Sequence, residues 1–165
     1  MESKHLKHTL EIFIDKESKV LILGSFPSVK SREQMFYYYH PQNRFYKILS
    51  NIFYEPLSSD LEERKRFLKK HHIALYDVIE ECDIKGSSDS SITNVTPFDI
   101  SKVLKEYPNI KVIGVTGKKA ESLFDKYLLH KVGQVQVIYL PSTSPANARM
   151  SLEELVEQYR KLFEI

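Results

Sequence analysis

Two loops rich in small and hydroxyl-bearing residues give the first indication of chemistry in this sequence. Residues 24–28 read Gly-Ser-Phe-Pro-Ser and follow the apolar run 20–23, and residues 141–149 follow the apolar run 135–140. Both runs have the length and composition of buried strands in a parallel sheet. Because ligands of open α/β sheets bind in the crevice beyond the carboxyl ends of the strands, we expect the two loops to form one shared site.

A third candidate lies at residues 37–45, which combine three tyrosines, a His-Pro turn, amide side chains and an arginine. One interpretation is a loop that caps a helix, with Asn43 as its N-cap residue. The other is a stacking pocket, in which an aromatic ring lies flat on a planar ligand while an amide forms hydrogen bonds with the ligand's edge. A second amide, Asn94, lies in the polar segment 91–97, although such a residue more often forms a turn.

The elements that would position these residues alternate between strand and helix. Residues 112–115 predict a further strand, residues 28–39 predict a loop or a short turn of helix with exposed aromatic side chains, and residues 83–91 predict a polar loop. The alternation predicts an α/β fold with a mainly parallel sheet flanked by helices. Helices are predicted from about residue 43, from near Ser59 with a Ser59-x-x-Glu62 capping box, over residues 100–107 and 118–128, and from Ser151, which forms a second capping box with Glu154.

Two basic motifs have ordinary structural explanations. Residues 114–119 suggest a phosphate-binding loop, but the glycine spacing is wrong and Lys119 stands where a Mg²⁺-binding Ser or Thr belongs, so we interpret them as a strand-to-helix turn. The basic run 64–72 fits a solvated helix face, because Glu62 lies four residues before Arg66.

The composition limits the class of protein. The 165 residues suit one domain, and a net charge of +2 from 24 basic and 22 acidic residues neither indicates nor excludes nucleic acid. The single Cys82 excludes an intramolecular disulfide, and His71 and His72 lack companion ligands, so we expect no metal and no cofactor. We also expect no membrane contact and a soluble, cytoplasmic protein, because no run has the apolar length of a signal peptide or a membrane span.

Four ordered segments together resemble the uracil-DNA glycosylase superfamily, and most closely its hypoxanthine-DNA (deoxyinosine) glycosylase branch. They are residues 21–28, 38–46, 74–78 with 86–92, and 140–148. The resemblance implies a single α/β domain over residues 1–165 with a four-stranded, mainly parallel sheet. It implies a monofunctional, cofactor-free DNA glycosylase that excises hypoxanthine by hydrolysing the N-glycosidic bond, in base excision repair. The expected partner is double- or single-stranded DNA with a damaged base, bound by a monomer.

The resemblance also implies roles for particular residues. Residues 40–45 are similar to a stretch of mismatch-specific uracil-DNA glycosylases, in which an aromatic residue two positions before the His stacks on the flipped base; this role falls on Tyr38. Phe26 stands where most of the superfamily has an Asp or Asn that places the attacking water. The hypoxanthine branch lacks that residue as well and depends on the Asn that corresponds to Asn43, so we expect little activity on uracil. Asn43 would act either by orienting water through its carbonyl oxygen or by donating to the purine edge.

The remaining expectations concern the reaction type and the surroundings of the base. No motif segment presents a lysine suited to Schiff-base chemistry, which agrees with a monofunctional enzyme. Two alternatives remain: a glycosylase for uracil, xanthine or mismatched thymine, or a nucleotide- or nucleic-acid-binding α/β module without catalysis. The expected base pocket comprises Ser25, Phe26, Pro27, Tyr38 and Asn94, and the expected DNA-binding loop, which would press on the minor groove, comprises Ser142, Thr143, Ser144, Pro145, Ala146, Asn147 and Arg149.

Overall fold

The computed structural model describes residues 3–85 and 89–164, which form two sheets with helices packed around them. The strands are β1 (Lys4–Lys7), β2 (Val20–Gly24), β3 (Ile73–Asp77), β4 (Ile79–Ile84), β5 (Thr93–Pro97), β6 (Val112–Thr116) and β7 (Gln136–Leu140). The helices are α1 (Val29–Gln34), α2 (Phe45–Phe53), α3 (Leu61–Lys70), α4 (Ile100–Glu106), α5 (Lys118–Tyr127) and α6 (Leu152–Arg160).

The larger sheet has four parallel strands in the order β3-β2-β6-β7, which confirms the predicted α/β fold. Every residue of β2 is buried, as expected for an interior strand of a parallel sheet with both faces covered. Because the four strands run in the same direction, their last residues lie along one edge of the sheet. These residues are Gly24, Asp77, Thr116 and Leu140.

The smaller sheet has three antiparallel strands in the order β1-β4-β5, and sequence analysis did not predict it. Most residues of β5 are polar and none is fully buried, so the strand carries no apolar alternation that could identify it. The predicted loop over residues 83–91 is wrong at its start, because residues 83 and 84 belong to β4. Residues 86–88, which formed part of the third segment of the family resemblance, lie outside the described residues.

The N-terminal segment connects the two sheets. β1 pairs with β4, the N–H of His8 donates to the carbonyl oxygen of Glu80 at 2.7 Å, and Phe13 then pairs with Leu75 of β3. The segment therefore runs from the small sheet onto the outer strand of the parallel sheet. His8 lies at the junction between them.

The helix caps follow the predicted chemistry with one shift. The capping box of α6 is confirmed, because Ser151 Oγ accepts from the N–H of Glu154 and the Glu154 carboxylate accepts from the N–H of Ser151. The cap of α3 is Asp60 instead of the predicted Ser59, which moves the start of this helix one residue along the chain.

Residues 28–39 confirm the predicted short turn of helix but not the predicted exposure of the aromatic side chains. They contain α1, capped by the hydroxyl of Ser28, and the side chains of Phe36 and Tyr37 are buried. None of the helices in the described part of the chain combines the length and apolar character needed to cross a bilayer.

Candidate functional site

A cleft of about 970 Å³ opens at the carboxyl edge of the parallel sheet. Open α/β sheets bind ligands at this position, and the volume is at the upper end of the range for small-molecule sites. Three loops that carried the sequence motifs meet there: the first loop (residues 24–28), the tyrosine loop (residues 37–44) and the serine loop (residues 141–149). The strand ends Asp77 and Thr116 complete the floor.

The first loop approaches the floor through its backbone. Phe26 and Pro27 are buried, and the ring of Phe26 meets His8 edge-on. Gly24 leaves room for Asp77, because a Cβ at Gly24 would lie 2.6 Å from Asp77 Oδ1. Phe26 carries neither an acid nor an amide, so its side chain cannot place a water molecule in the cleft.

Tyr38 lines the cleft, but one face of its ring is already covered. The ring stacks on Phe45 with centroids 3.9 Å apart and planes at 14°, so a flipped base could stack only on the opposite face. The hydroxyl is buried and has no hydrogen-bond partner among the described residues. Burial raises the pKa of the Tyr38 hydroxyl most, and the nearby charge of Asp77 raises it further. The neighbouring Thr116 lowers the pKa by a smaller amount, although its hydroxyl does not form a hydrogen bond with that of Tyr38. The phenol therefore stays protonated at neutral pH.

Asn43 also lines the cleft, and its two polar atoms are in different situations. Oδ1 accepts a hydrogen bond of 2.9 Å from the N–H of Phe45, the first residue of α2, but the N-cap residue of this helix is Arg44 and not Asn43 as predicted. Nδ2 has no partner within residues 3–85 and 89–164. The helix therefore engages the carbonyl oxygen, while the amide N–H groups are available to a ligand.

The serine loop is held by its own hydrogen bonds. Ser142 Oγ accepts from the N–H of Ser144 at 3.1 Å, and Asn147 Nδ2 donates to the carbonyl oxygen of Ser142 at 2.9 Å. The tip, residues 145–146, is exposed. The loop is thus ordered before any ligand binds, and its tip faces solvent.

Arg44 connects the tyrosine loop to the serine loop. Its backbone N–H donates to the carbonyl oxygen of Thr143, a buried residue, at 3.1 Å. Its guanidinium donates to the carbonyl oxygens of Asn147 at 2.6 Å and Met150 at 2.7 Å. Hydrogen bonds from a charged donor are stronger than neutral ones, so this clamp fixes the position of the serine loop over the cleft.

The structure brings most predicted site residues together and leaves two outside. Asn94 lies in β5 of the small sheet, where it is exposed and its Nδ2 donates to Asp83 Oδ2 at 2.6 Å. Arg149 is exposed and does not form part of the cleft wall. The residues that meet in the cleft are Ser25, Phe26, Pro27, Tyr38, Asn43, Ser142, Thr143, Ser144, Pro145, Ala146 and Asn147.

A buried ionisable pair at the floor had no assigned role in the sequence analysis. Asp77 is the last residue of β3, and its Oδ2 lies 2.9 Å from Nε2 of His8. The Asp77 side chain is 7% exposed and that of His8 is completely buried. A carboxylate that ends a buried strand at the same edge as Gly24 is a usable sequence signal. His8 gives no such signal, because it reaches the floor from a distant N-terminal segment.

Lys118 and Lys119 also line the cleft, where sequence analysis did not expect them. They follow Gly117 at the start of α5, which confirms the strand-to-helix turn. Basic side chains beside a helix N-terminus suit contacts with phosphate. The described ranges contain no group of three or more His, Cys, Asp or Glu side chains arranged to hold a metal ion.

Comparisons with known proteins agree with this arrangement. Residues 12–163 match the model of the uracil DNA glycosylase superfamily. A Methanosarcina acetivorans protein named hypoxanthine DNA glycosylase is 33% identical over 147 residues, covering 88% of this chain and 91% of the relative. A Methanosarcina barkeri protein of the same name is 34% identical over 139 residues, covering 82% of this chain and 85% of the relative. A solution NMR structure of a Methanosarcina acetivorans protein, described as a candidate uracil DNA glycosylase, superposes with a TM-score of 0.79 at 31% identity, covering 96% of this chain and 99% of the other. The chain therefore belongs to the uracil DNA glycosylase superfamily.

Proposed function

We propose that this protein is a hypoxanthine DNA glycosylase, which removes hypoxanthine from deoxyinosine in DNA by hydrolysing the N-glycosidic bond. The observation that carries the proposal is the similarity, over 88% and 82% of the chain, to two relatives that bear this name. The first loop is consistent with it, because Phe26 provides neither the carboxylate nor the amide that most of the superfamily uses on uracil.

The substrate base must leave the DNA stack to reach the cleft. Unpairing costs a few kcal/mol, and it costs least for a mispaired base, which helps selection. The flipped purine would lie on the open face of Tyr38, since Phe45 covers the other face. The backbone of the first loop, at Ser25 and Phe26, would close the pocket from the opposite side.

Asn43 is the candidate catalytic residue. Cleavage develops positive charge on the sugar and negative charge on the base, so donors aimed at the base stabilise the transition state. The Oδ1 atom of Asn43 is engaged by the N–H of Phe45, whereas Nδ2 is open to the cleft. This asymmetry favours donation to the purine edge over orientation of a water molecule.

The serine loop would bind the DNA backbone and the minor groove. Ser142 and Ser144 carry hydroxyls at the cleft, and Lys118 and Lys119, which follow Gly117 beside Ser142, add positive charge for flanking phosphates. The exposed tip, residues 145–146, is small and apolar enough to enter the space that the flipped base leaves.

We further propose a monofunctional, metal-independent monomer that acts in the cytoplasm on double- or single-stranded DNA. Water is then the nucleophile, and the product is an intact strand with an abasic site. Lys118 and Lys119 make a direct test necessary, because a lysine in the cleft could attack the sugar in a bifunctional enzyme. Borohydride should trap no covalent complex, and release should survive EDTA.

The function is tested with labelled duplexes that contain inosine, uracil, xanthine or a G·T mismatch, each treated with alkali after incubation. We expect alkali-dependent cleavage at inosine and little at uracil. Uracil release as fast as hypoxanthine release would contradict the proposed specificity. Binding without release of any of these bases would identify a non-catalytic module.

A further inference from the structure

A histidine from outside the parallel sheet holds the acidic residue at the floor of the cleft. Nε2 of His8 lies 2.9 Å from Oδ2 of Asp77, and because an ionised carboxylate only accepts hydrogen bonds, Nε2 is the donor. The His8 ring stacks on Tyr76, with centroids 4.3 Å apart, and meets the ring of Phe26 edge-on at 5.8 Å. Asp77 Oδ2 therefore has one donor in a fixed orientation.

The other ring nitrogen of His8 contacts the backbone of Leu10. Nδ1 lies 3.2 Å from the nitrogen and 3.0 Å from the oxygen of Leu10. With the ring proton on Nε2, Nδ1 accepts from the Leu10 N–H. Leu10 therefore holds the ring at Nδ1 while Nε2 faces Asp77.

The second carboxylate oxygen of Asp77 faces the cleft without a donor. Oδ1 lies 2.6 Å from the position that a Cβ of Gly24 would occupy, and no residue in the described ranges donates a hydrogen bond to it. The buried side-chain atoms without a partner in the described ranges are the hydroxyl of Tyr38 and Nδ1 of His72, so Oδ1 of Asp77 keeps an exposed edge in the cleft. An open acceptor on a side chain that is only 7% exposed, at the floor of a cleft, is positioned to accept a hydrogen bond from a ligand.

The small sheet contains a similar pair that lacks this opening. Asp83 accepts from His5 Nδ1 at Oδ1, at 2.8 Å, and from Asn94 Nδ2 at Oδ2, at 2.6 Å. Both oxygens of Asp83 are therefore filled by the protein. The open oxygen of Asp77 is a property of the cleft and not of histidine–aspartate pairs in this fold.

We propose that His8 is a positioning residue for base selection, holding Asp77 so that Oδ1 accepts the N1–H of the flipped hypoxanthine. This inference rests on the proposed function. Deamination of adenine replaces the N1 lone pair with an N1–H beside a carbonyl group. A fixed carboxylate accepts that N–H, whereas the lone pair of adenine would face the carboxylate with no hydrogen between them. The pair would thus detect the chemical change that creates the lesion.

The test compares single-turnover excision from duplexes containing deoxyinosine or 1-methyldeoxyinosine, in which a methyl group replaces the N1–H and O6 is retained. The ratio of the two rates is the readout, because a loss of folded protein lowers both rates equally. We expect the wild-type protein to favour deoxyinosine by on the order of a hundredfold or more, as sites built around a hydrogen bond do.

The variants separate positioning from packing. His8→Phe keeps the aromatic contacts without the donor, and we expect it to lower the ratio at least about tenfold, the value of one charge-assisted hydrogen bond. Asp77→Ala should lower the ratio at least as much, and adding His8→Phe to it should change nothing further. His8→Gln, which carries an N–H near the position of Nε2, should recover part of the ratio, whereas the shorter His8→Asn should not.

His5→Phe on the same N-terminal segment is the matched control and should keep the wild-type ratio. A wild-type ratio in an active His8→Phe protein would overturn the inference and leave the proposed function intact. Should His8→Phe fail to fold, equal ratios for His8→Gln and His8→Asn would overturn it instead. A folded wild-type protein that releases no hypoxanthine would overturn the proposed function and the inference with it.

Discussion

The two histidine–aspartate pairs on the N-terminal segment use the same chemistry in different surroundings. The pair of His5 and Asp83 lies on the small antiparallel sheet, with side chains 55% and 25% exposed, and Glu81 and Asp83 raise the pKa of His5. The pair of His8 and Asp77 is almost completely buried beneath the cleft. Solvent screens the first pair, so it contributes little to stability, while the second fixes a carboxylate where a ligand can reach it.

The two asparagines differ in the same way. The amide of Asn94 donates to Asp83 at an exposed surface, whereas the amide N–H groups of Asn43 have no partner in the described ranges and lie at the carboxyl edge of the parallel sheet. Residue type alone does not distinguish the members of either set. The edge of the sheet at which the residue lies, and which of its atoms the protein already uses, distinguish them.

The largest effect expected from this contrast concerns Asn43. Asn43→Ala should lower single-turnover excision by on the order of a hundredfold or more, because one transition-state donor is lost. Asn43→Asp, which keeps an acceptor for the N–H of Phe45 and loses the N–H donor, should lose comparable activity. Excision from inosine-containing duplex is the measurement, and Asn94→Ala is the matched control, expected to act at the wild-type rate.

Two results would contradict the proposed role of Asn43. Full activity in Asn43→Asp would assign the residue to water orientation, since a carboxylate keeps the acceptor. A folded Asn43→Ala protein that excises at the wild-type rate would remove Asn43 from the mechanism. Binding to inosine DNA should change far less than excision, because phosphate contacts supply most of the affinity.

The next effect concerns the clamp between the tyrosine and serine loops. Arg44→Met removes two charged donors from the carbonyls of Asn147 and Met150, so we expect about 1–3 kcal/mol lower unfolding free energy and excision lowered about tenfold. Denaturant unfolding and single-turnover kinetics measure the two effects. Arg160→Met, which breaks only a partly exposed pair with Glu157, should change stability by less than about 0.5 kcal/mol. Equal effects of the two substitutions would contradict the clamp.

A smaller effect is expected at the start of α6, away from the reacting groups. Ser151→Ala removes the capping-box hydroxyl and should lower the unfolding free energy by about 1 kcal/mol. Excision by the folded fraction should stay at the wild-type rate. A large loss of excision without a loss of stability would mean that α6 takes part in the reaction.

The smallest effect concerns the hydroxyl of Tyr38. This group is buried without a partner, so Tyr38→Phe should leave stability unchanged or raise it by up to about 1 kcal/mol, with excision within about twofold of wild type. Tyr38→Ala, which removes the ring itself, should impair excision far more. A Tyr38→Phe variant as defective as Tyr38→Ala would show that the hydroxyl, and not the ring, meets the substrate.

Prediction from the sequence succeeded where a local pattern determines the structure. The apolar runs of β2, β6 and β7 and the capping box of α6 depend on near neighbours, and the structure confirms them. The small sheet was missed because β5 is polar and mostly exposed. The aromatic side chains of residues 36–37 were expected to be exposed, because a segment without periodicity does not reveal which side chains the core covers.

In the candidate site, too, the residues marked by a local pattern were predicted and those brought together only by the fold were not. The first loop and the serine loop were found because small residues after buried strands identify the carboxyl edge of a sheet. The tyrosine loop was found from its combination of tyrosines, amide side chains and an arginine. Asn94 was assigned to the pocket from residue type, and its strand belongs to the other sheet. The contact between His8 and Asp77 joins segments that no short motif connects, so only the fold reveals it.

The proposed activity is tested most directly by identifying the released base. The wild-type protein is incubated with an inosine-containing duplex under single-turnover conditions, and the free base is detected by chromatography. We predict free hypoxanthine, in amounts equal to the alkali-labile sites formed, and strands that stay intact until alkali is added. A parallel uracil-containing duplex should release little base. A folded protein that binds the inosine duplex and releases no hypoxanthine would contradict the proposed activity.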